Sequence, residues 1–191
     1  MRYSKVRQIV PSDHPAAHVR DYYERIRNLP ACVNNEHFWL QFSLADIELK
    51  QFALADEHLK QAYAITSKMT GYNTFQLDNV RAAFLLAREA HERKGDRELR
   101  SFVDASTIVN RQMNERRHAY YPFRVARRYL DFWQQIAREW RPEQRGIFTG
   151  ACRAVLAAAG KVDPDLAVMD DVTQCVVMMR RILAEAGEST R

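Results

Sequence analysis

The chain has 191 residues and a mass of 22.3 kDa, which is room for one domain or two very small ones. Hydrophobic residues at 47% and charged residues at 28% exclude disorder for the bulk of the chain. No apolar stretch reaches the ~20 residues of a membrane span, and a net charge of +5 permits nucleic-acid contact without demanding it.

The first ten residues carry Arg2, Lys5 and Arg7 and lack an apolar run, so they do not read as a secretory signal. The organisation predicted is an N-terminal extension over 1–15, a helical domain over 16–187 and a tail over 188–191. Pro11 and Pro15 flank the entry to a segment from Val19 to Leu29, and Leu29-Pro30 closes it, because the residue before proline avoids the helical region. Asn34 or Asn35 can cap the next helix, and Asn73 with Gln76 resembles a capping box. Gly71, Gly95, Gly160 and Gly187 suit left-handed positions after helices. Asp163-Pro164 reads as an N-cap followed by proline in the first turn.

Between these marks the apolar residues recur at i, i+3, i+4. Trp39, Phe42, Ala45 and Leu49 form one stripe, and Ala55, Leu59, Ala62, Tyr63 and Thr66 the next. Val80, Ala83, Phe84 and Ala87 follow, then Phe102, Ala105 and Val109. Tyr121, Val125, Tyr129, Phe132 and Ile136 predict one long helix; Ile147, Ala151, Ala154 and Val155 another. Leu166, Met169, Val172, Val176 and Met179 predict the last. No stretch alternates with period two for long enough to make a strand, so the fold class is all-α, with short connections that make sequential helices antiparallel neighbours.

The phrase that starts at Trp39 and ends at Ala62 resembles a tetratricopeptide repeat. Small Ser43, Ala55 and Ala62 let two helices approach, while Trp39, Phe42 and Leu59 fill the space beside them. It departs from that pattern at Asp46, where an aromatic is usual, at Leu59, where Phe or Tyr is common, and at its end, where Gly71 replaces proline. More narrowly, NNEHFWLQFSLADIEL, FQLDNVRAAFLL and YYPFRVARRYLDFW, spread over Asn34 to Trp133, are similar to the C-terminal helical-repeat region of large bacterial proteins. Those carry a P-loop NTPase or SIR2-like effector domain in front, and many belong to anti-phage systems. The resemblance implies antiparallel helix pairs stacked as a short α-solenoid, a sensor or scaffold role beside a separate or fused effector, and a concave surface faced by His37, Gln41 and Glu48. The chain has no GxxxxGK[ST] segment and so no P-loop of its own.

Catalytic chemistry has little support. No HExxH or GxSxG occurs. His14 and His18 are four apart but flank Pro15, and the histidines read as solvated loop residues rather than metal ligands. Cys32, Cys152 and Cys175 lack zinc or redox spacing; the latter two read as buried free thiols of a cytoplasmic protein. Asp163/Asp165 and Asp170/Asp171 read as helix-start carboxylates that meet the dipole. Gly146 and Gly150, four apart beside Arg145 and Arg153, predict close packing of two helices outside a membrane.

The densest signal is RRHAYYPFRVARR, Arg116 to Arg128. Arg124, Arg127 and Arg128 share one helical face, with Arg117 and the rings of Tyr120, Tyr121 and Phe123 nearby. Most simply, Tyr121, Val125 and Tyr129 are core and the arginines a solvated flank, with Asp131 as a partner. The same face could grip an acidic peptide or protein, or phosphates and a stacked base. The reading is a non-enzymatic module without cofactor or metal that binds protein, with nucleic-acid binding through Arg116–Arg128 as the alternative.

Overall fold

The computed structural model describes residues 15–92, 99–136 and 140–187. Every regular element among them is a helix, so the chain is all-α. The chain divides into two compact units, Met1–Phe84 and Leu85–Arg191.

The first unit holds α1 (Pro15–Ile26), the single turn α2 (Pro30–Val33), α3 (Glu36–Glu48), α4 (Phe52–Thr66) and the first part of α5 (Phe75–Glu92). Asn35 caps α3 by accepting from the Phe38 amide at 3.1 Å, and Asn73 accepts from the Phe75 amide at 2.9 Å before α5. The α3–α4 turn has no glycine; Lys50 takes the left-handed conformation there, with φ 59°. Gly71, with φ 71°, takes it after α4 as the sequence predicts. Ser43, Ala55 and Ala62 are fully buried, and α3 packs closely on α4. α1 packs on α3 through Ala16, Val19 and Tyr23. The Tyr23 ring meets Phe38 edge-on at 5.3 Å.

The second unit holds α6 (Arg100–Glu115), α7 (Tyr121–Ala126), α8 (Tyr129–Ile136), α9 (Pro142–Ala159), the turn α10 (Pro164–Ala167) and α11 (Asp170–Glu185). α9 packs on α6 and α11, and α11 also packs on α7 and α8. Phe102, Tyr129, Phe132 and Phe148 are fully buried with ring centroids 4.9–6.2 Å apart, and Trp140 closes on Phe148 at 4.8 Å.

Five sequence expectations change here. The long helix through Tyr121 and Tyr129 is two helices: at the joint the Arg128 amide bonds Val125 and the Leu130 amide bonds Arg127, three residues back instead of four, which tightens and redirects the chain. The last helix is likewise split into α10 and α11 around Val168 and Met169. The α9 stripe differs at its start: Ala151 and Val155 are buried as predicted, but Phe148 and Cys152 join them while Ile147 is exposed. Gly160 ends α9 at φ −71°, not in the left-handed region, whereas Gly187 does reach φ 78°. A Cβ built on Gly146 or Gly150 would meet nothing within 4 Å, so neither marks a close helix contact. Gly95, His14, the Ile136 side chain and the tail over 188–191 lie outside the described residues.

Candidate functional site

The arginine-rich segment leaves α6, runs through an exposed turn at Arg117 and His118, and enters α7. Pro122 sits in the first turn of α7, where its missing N–H costs nothing and its fixed φ favours the helix. Phe123, Val125 and Ala126 anchor α7 in the core. Arg124 is thereby left on the outer side, with about half of its side chain exposed.

Its partner is Asp171, in the first turn of α11. Arg124 donates from Nε to Oδ1 at 3.2 Å and from Nη2 to Oδ2 at 2.8 Å, a two-pronged contact. Arg127 donates from Nη1 to Oδ1 at 3.2 Å. The hydrogen bond to Asp171 raises the Arg124 pKa further above its usual range, against a smaller opposing effect of burial. The Arg124 guanidinium carbon also lies 5.3 Å from the ring centres of both Tyr120 and Tyr121. Asp171 is a helix-start carboxylate as predicted, but it also holds the arginines, and it does so in place of Asp131.

The predicted residues are therefore brought together in part. Arg124 and Arg127 converge; Arg128 falls beyond the end of α7 and is half-buried at the α7–α8 joint. Arg117 is exposed, and its backbone carbonyl accepts from the Asp163 amide at 3.4 Å, which ties this turn to the one before α10. Tyr121 is not core: it is 41% exposed, because the joint at Arg127 and Arg128 separates its register from that of Tyr129. Near Asp171 in sequence, Val168 is 77% exposed and Met169 is exposed too.

In the first unit His37 and Gln41 are half-buried on α3, and Glu48, at its last position, is exposed. Each engages neighbouring groups. Trp39 is half-buried rather than buried: its indole stacks on Phe42 at 6.2 Å, and its Nε1 reaches out to donate to the Val33 carbonyl at 3.0 Å.

A constellation that the periodicity missed lies beside it. His58 is no solvated loop residue; it is buried on α4, stacked on Phe42 at 3.9 Å, with Nδ1 2.6 Å from Asp46 Oδ2. Asp46 is fully buried, and Arg20 Nε of α1 lies 3.3 Å from its Oδ1. The signal in the sequence was the misfit itself: an aspartate at a repeat position that usually holds an aromatic ring.

Cys152 and Cys175 are buried, and burial pushes each thiol up to about 12, far from a nucleophile's range. Among the described residues no three His, Cys, Asp or Glu side chains group as a metal site, and no helix is long and apolar enough to cross a membrane. Comparison with protein-family models, with curated proteins and with solved structures returns no match for this chain.

Proposed function

We propose that the chain is a non-catalytic helical interaction module that binds a protein partner through the surface of Tyr121, Arg124 and Arg127. The observation that carries this reading is the exposed, half-solvated Arg124 guanidinium held over two tyrosine rings, with Tyr121, Val168 and Met169 exposed in the same unit. Arginine and tyrosine are the residue types that concentrate binding energy at protein interfaces. The nucleic-acid alternative is less well supported, because Arg124 and Arg127 already share a carboxylate and phosphate contacts need uncompensated positive charge.

The wider reading belongs to the same proposal. The α3–α4 hairpin with its buried small residues supports a tetratricopeptide-like pair within a short α-solenoid. The sequence resemblance supports a cytoplasmic scaffold or sensor working beside a bacterial NTPase or SIR2-like effector, with His37, Gln41 and Glu48 on its concave face.

The test is a capture experiment with wild type and with Arg124→Gln/Arg127→Gln, with and without nuclease, at low and raised salt. The proposal expects a partner that survives nuclease and is lost by the variant while its helical circular dichroism is kept. Equal recovery by both proteins rejects the surface. A partner that nuclease alone removes, with steep salt dependence, selects nucleic acid.

A further inference from the structure

α9 buries one face and presents another. Phe148, Ala151, Cys152, Val155 and Ala158 are buried in the second unit. Glu143, Ile147, Gly150, Ala154, Ala157 and Lys161 follow one another at steps of four, three, four, three and four residues, which lines them up along a different side of the helix. Glu143, Ile147, Ala157 and Lys161 are exposed, Ile147 by 42%, and Gly150 and Ala154 are half-buried. A Cβ built on Gly150 meets no atom within 4 Å, so the space beside it is open.

A helix side that faces only water is polar. Here the four middle positions carry no polar side chain, and the charges of the seam are at its two ends, Glu143 in the first turn of α9 and Lys161 just after its last. Steps of four and three are the spacing at which one helix packs along a second, and small residues let the two axes approach. The end charges say which second helix fits. Turned end for end about a two-fold axis level with Cys152, the seam meets its own copy in register. Glu143 then lies opposite Lys161 of the partner subunit, Ile147 opposite the partner's Ala157, and Gly150 opposite the partner's Ala154. Each charge meets its opposite, and the one large apolar side chain meets a small one. A parallel copy would instead set like charges together at both ends.

We propose that this face of α9 is where a second copy of the chain docks, with the two α9 helices antiparallel along the seam and the Glu143–Lys161 pairs closing both of its ends. The contact uses no residue of the Tyr121, Arg124 and Arg127 surface and stands apart from that reading. The seam is about 27 Å long at 1.5 Å per residue and one helix wide. That is less than a permanent interface needs, so the dimer exchanges with monomer and depends on concentration.

The test is sedimentation equilibrium of the full chain from low to high micromolar concentration, with circular dichroism on each variant. Wild type should pass from monomer to dimer. Gly150→Gln adds a side chain where its own chain leaves room, so it should keep the helical spectrum and weaken the dimer about tenfold or more. Lys161→Glu sets like charges opposite each other at both ends and should weaken the dimer about tenfold. Glu143→Lys/Lys161→Glu exchanges the two charges and should return the dimer to within about threefold of wild type.

A wild type that stays monomeric throughout overturns the proposal. So does a Gly150→Gln dimer as tight as that of wild type, because the contact then lies on another face. Lys161→Glu without effect, or a charge exchange that fails to restore what Lys161→Glu loses, overturns the antiparallel pairing and the proposal with it.

Discussion

Each unit contains an arginine–aspartate contact, and the two are placed differently. In the first unit Asp46 has no exposure at all, and it joins three helices through Arg20 on α1 and His58 on α4. In the second, Arg124 is half in water and Asp171 lies at a helix start. Both carboxylates have lost most of their hydration and depend on their partners. They differ in those partners: Asp46 is wholly out of water, while Asp171 is paired with a guanidinium that is half in it. Among the described residues Arg20 Nε and Asp46 Oδ1 make no aligned hydrogen bond, although they are close, so the buried cluster leans on charge and on the His58 bond.

The comparison breaks most readily at Asp46. Asp46→Ala leaves Arg20 and His58 without their common partner, and should cost about 3–5 kcal/mol in urea unfolding. A loss under about 1 kcal/mol would mean that the cluster is dispensable. Phe42→Ala, removing a fully buried ring stacked on His58, should cost a similar amount, about 3–5 kcal/mol, and Trp39→Ala clearly less because Trp39 is half-buried. The reverse order would restore Trp39 as the centre of the hairpin.

Alkaline pH acts next, and it begins in the second unit. Cys152 and Cys175 are raised from 9.0 to about 12, and burial holds the Tyr129 phenol well above its usual value. Above pH 9 the unfolded chain releases these thiol protons and the folded chain keeps them, so stability falls with rising pH. It is complete below pH 9 and is lost progressively toward pH 12, at on the order of 1.4 kcal/mol per pH unit for each thiol. Cys152→Ala/Cys175→Ala should flatten the slope of the urea midpoint against pH between 9 and 11. An unchanged slope would show that the thiols are not its source.

The half-exposed pair should matter less for folding than the Asp46 cluster. Asp171→Asn weakens three hydrogen bonds to a buried carboxylate and should cost about 1–3 kcal/mol, and no measurable loss would show that the contact is dispensable. The smallest effect has the opposite sign. Gly146→Ala and Gly150→Ala add a methyl that meets nothing and favour the helix, so each should gain about 0.5–1 kcal/mol. Destabilisation would reveal a close neighbour after all.

What the sequence made legible was local. Asn35 and Gly71 act within a few residues of themselves, and each sits where its capping chemistry requires, while Asn73 bonds the Phe75 amide from one residue outside the cap position. The stripes of α4 and α6 were readable because single faces of single helices are buried, whereas α3 is buried around most of its circumference, Leu40 and Ile47 included, and its predicted stripe of Trp39, Phe42, Ala45 and Leu49 caught only Phe42 and Ala45 as fully buried. The joint after Ala126 was not, since no glycine or proline marks it, and with it went the side on which Tyr121 lies. Arg124 and Asp171 are 47 residues apart, while a helix-face argument reaches only three or four residues and offered Asp131. His58 and Asp46 are twelve apart and lie on different helices, beyond the same horizon.

Cys175 lies one turn along α11 from Asp171 and is buried. A thiol in that position is a chemical clock. An alkylating reagent reaches it only when the packing around it opens, so the trapping rate at neutral pH, read by mass spectrometry, counts openings around α11, while half-buried Cys32 reports the first unit.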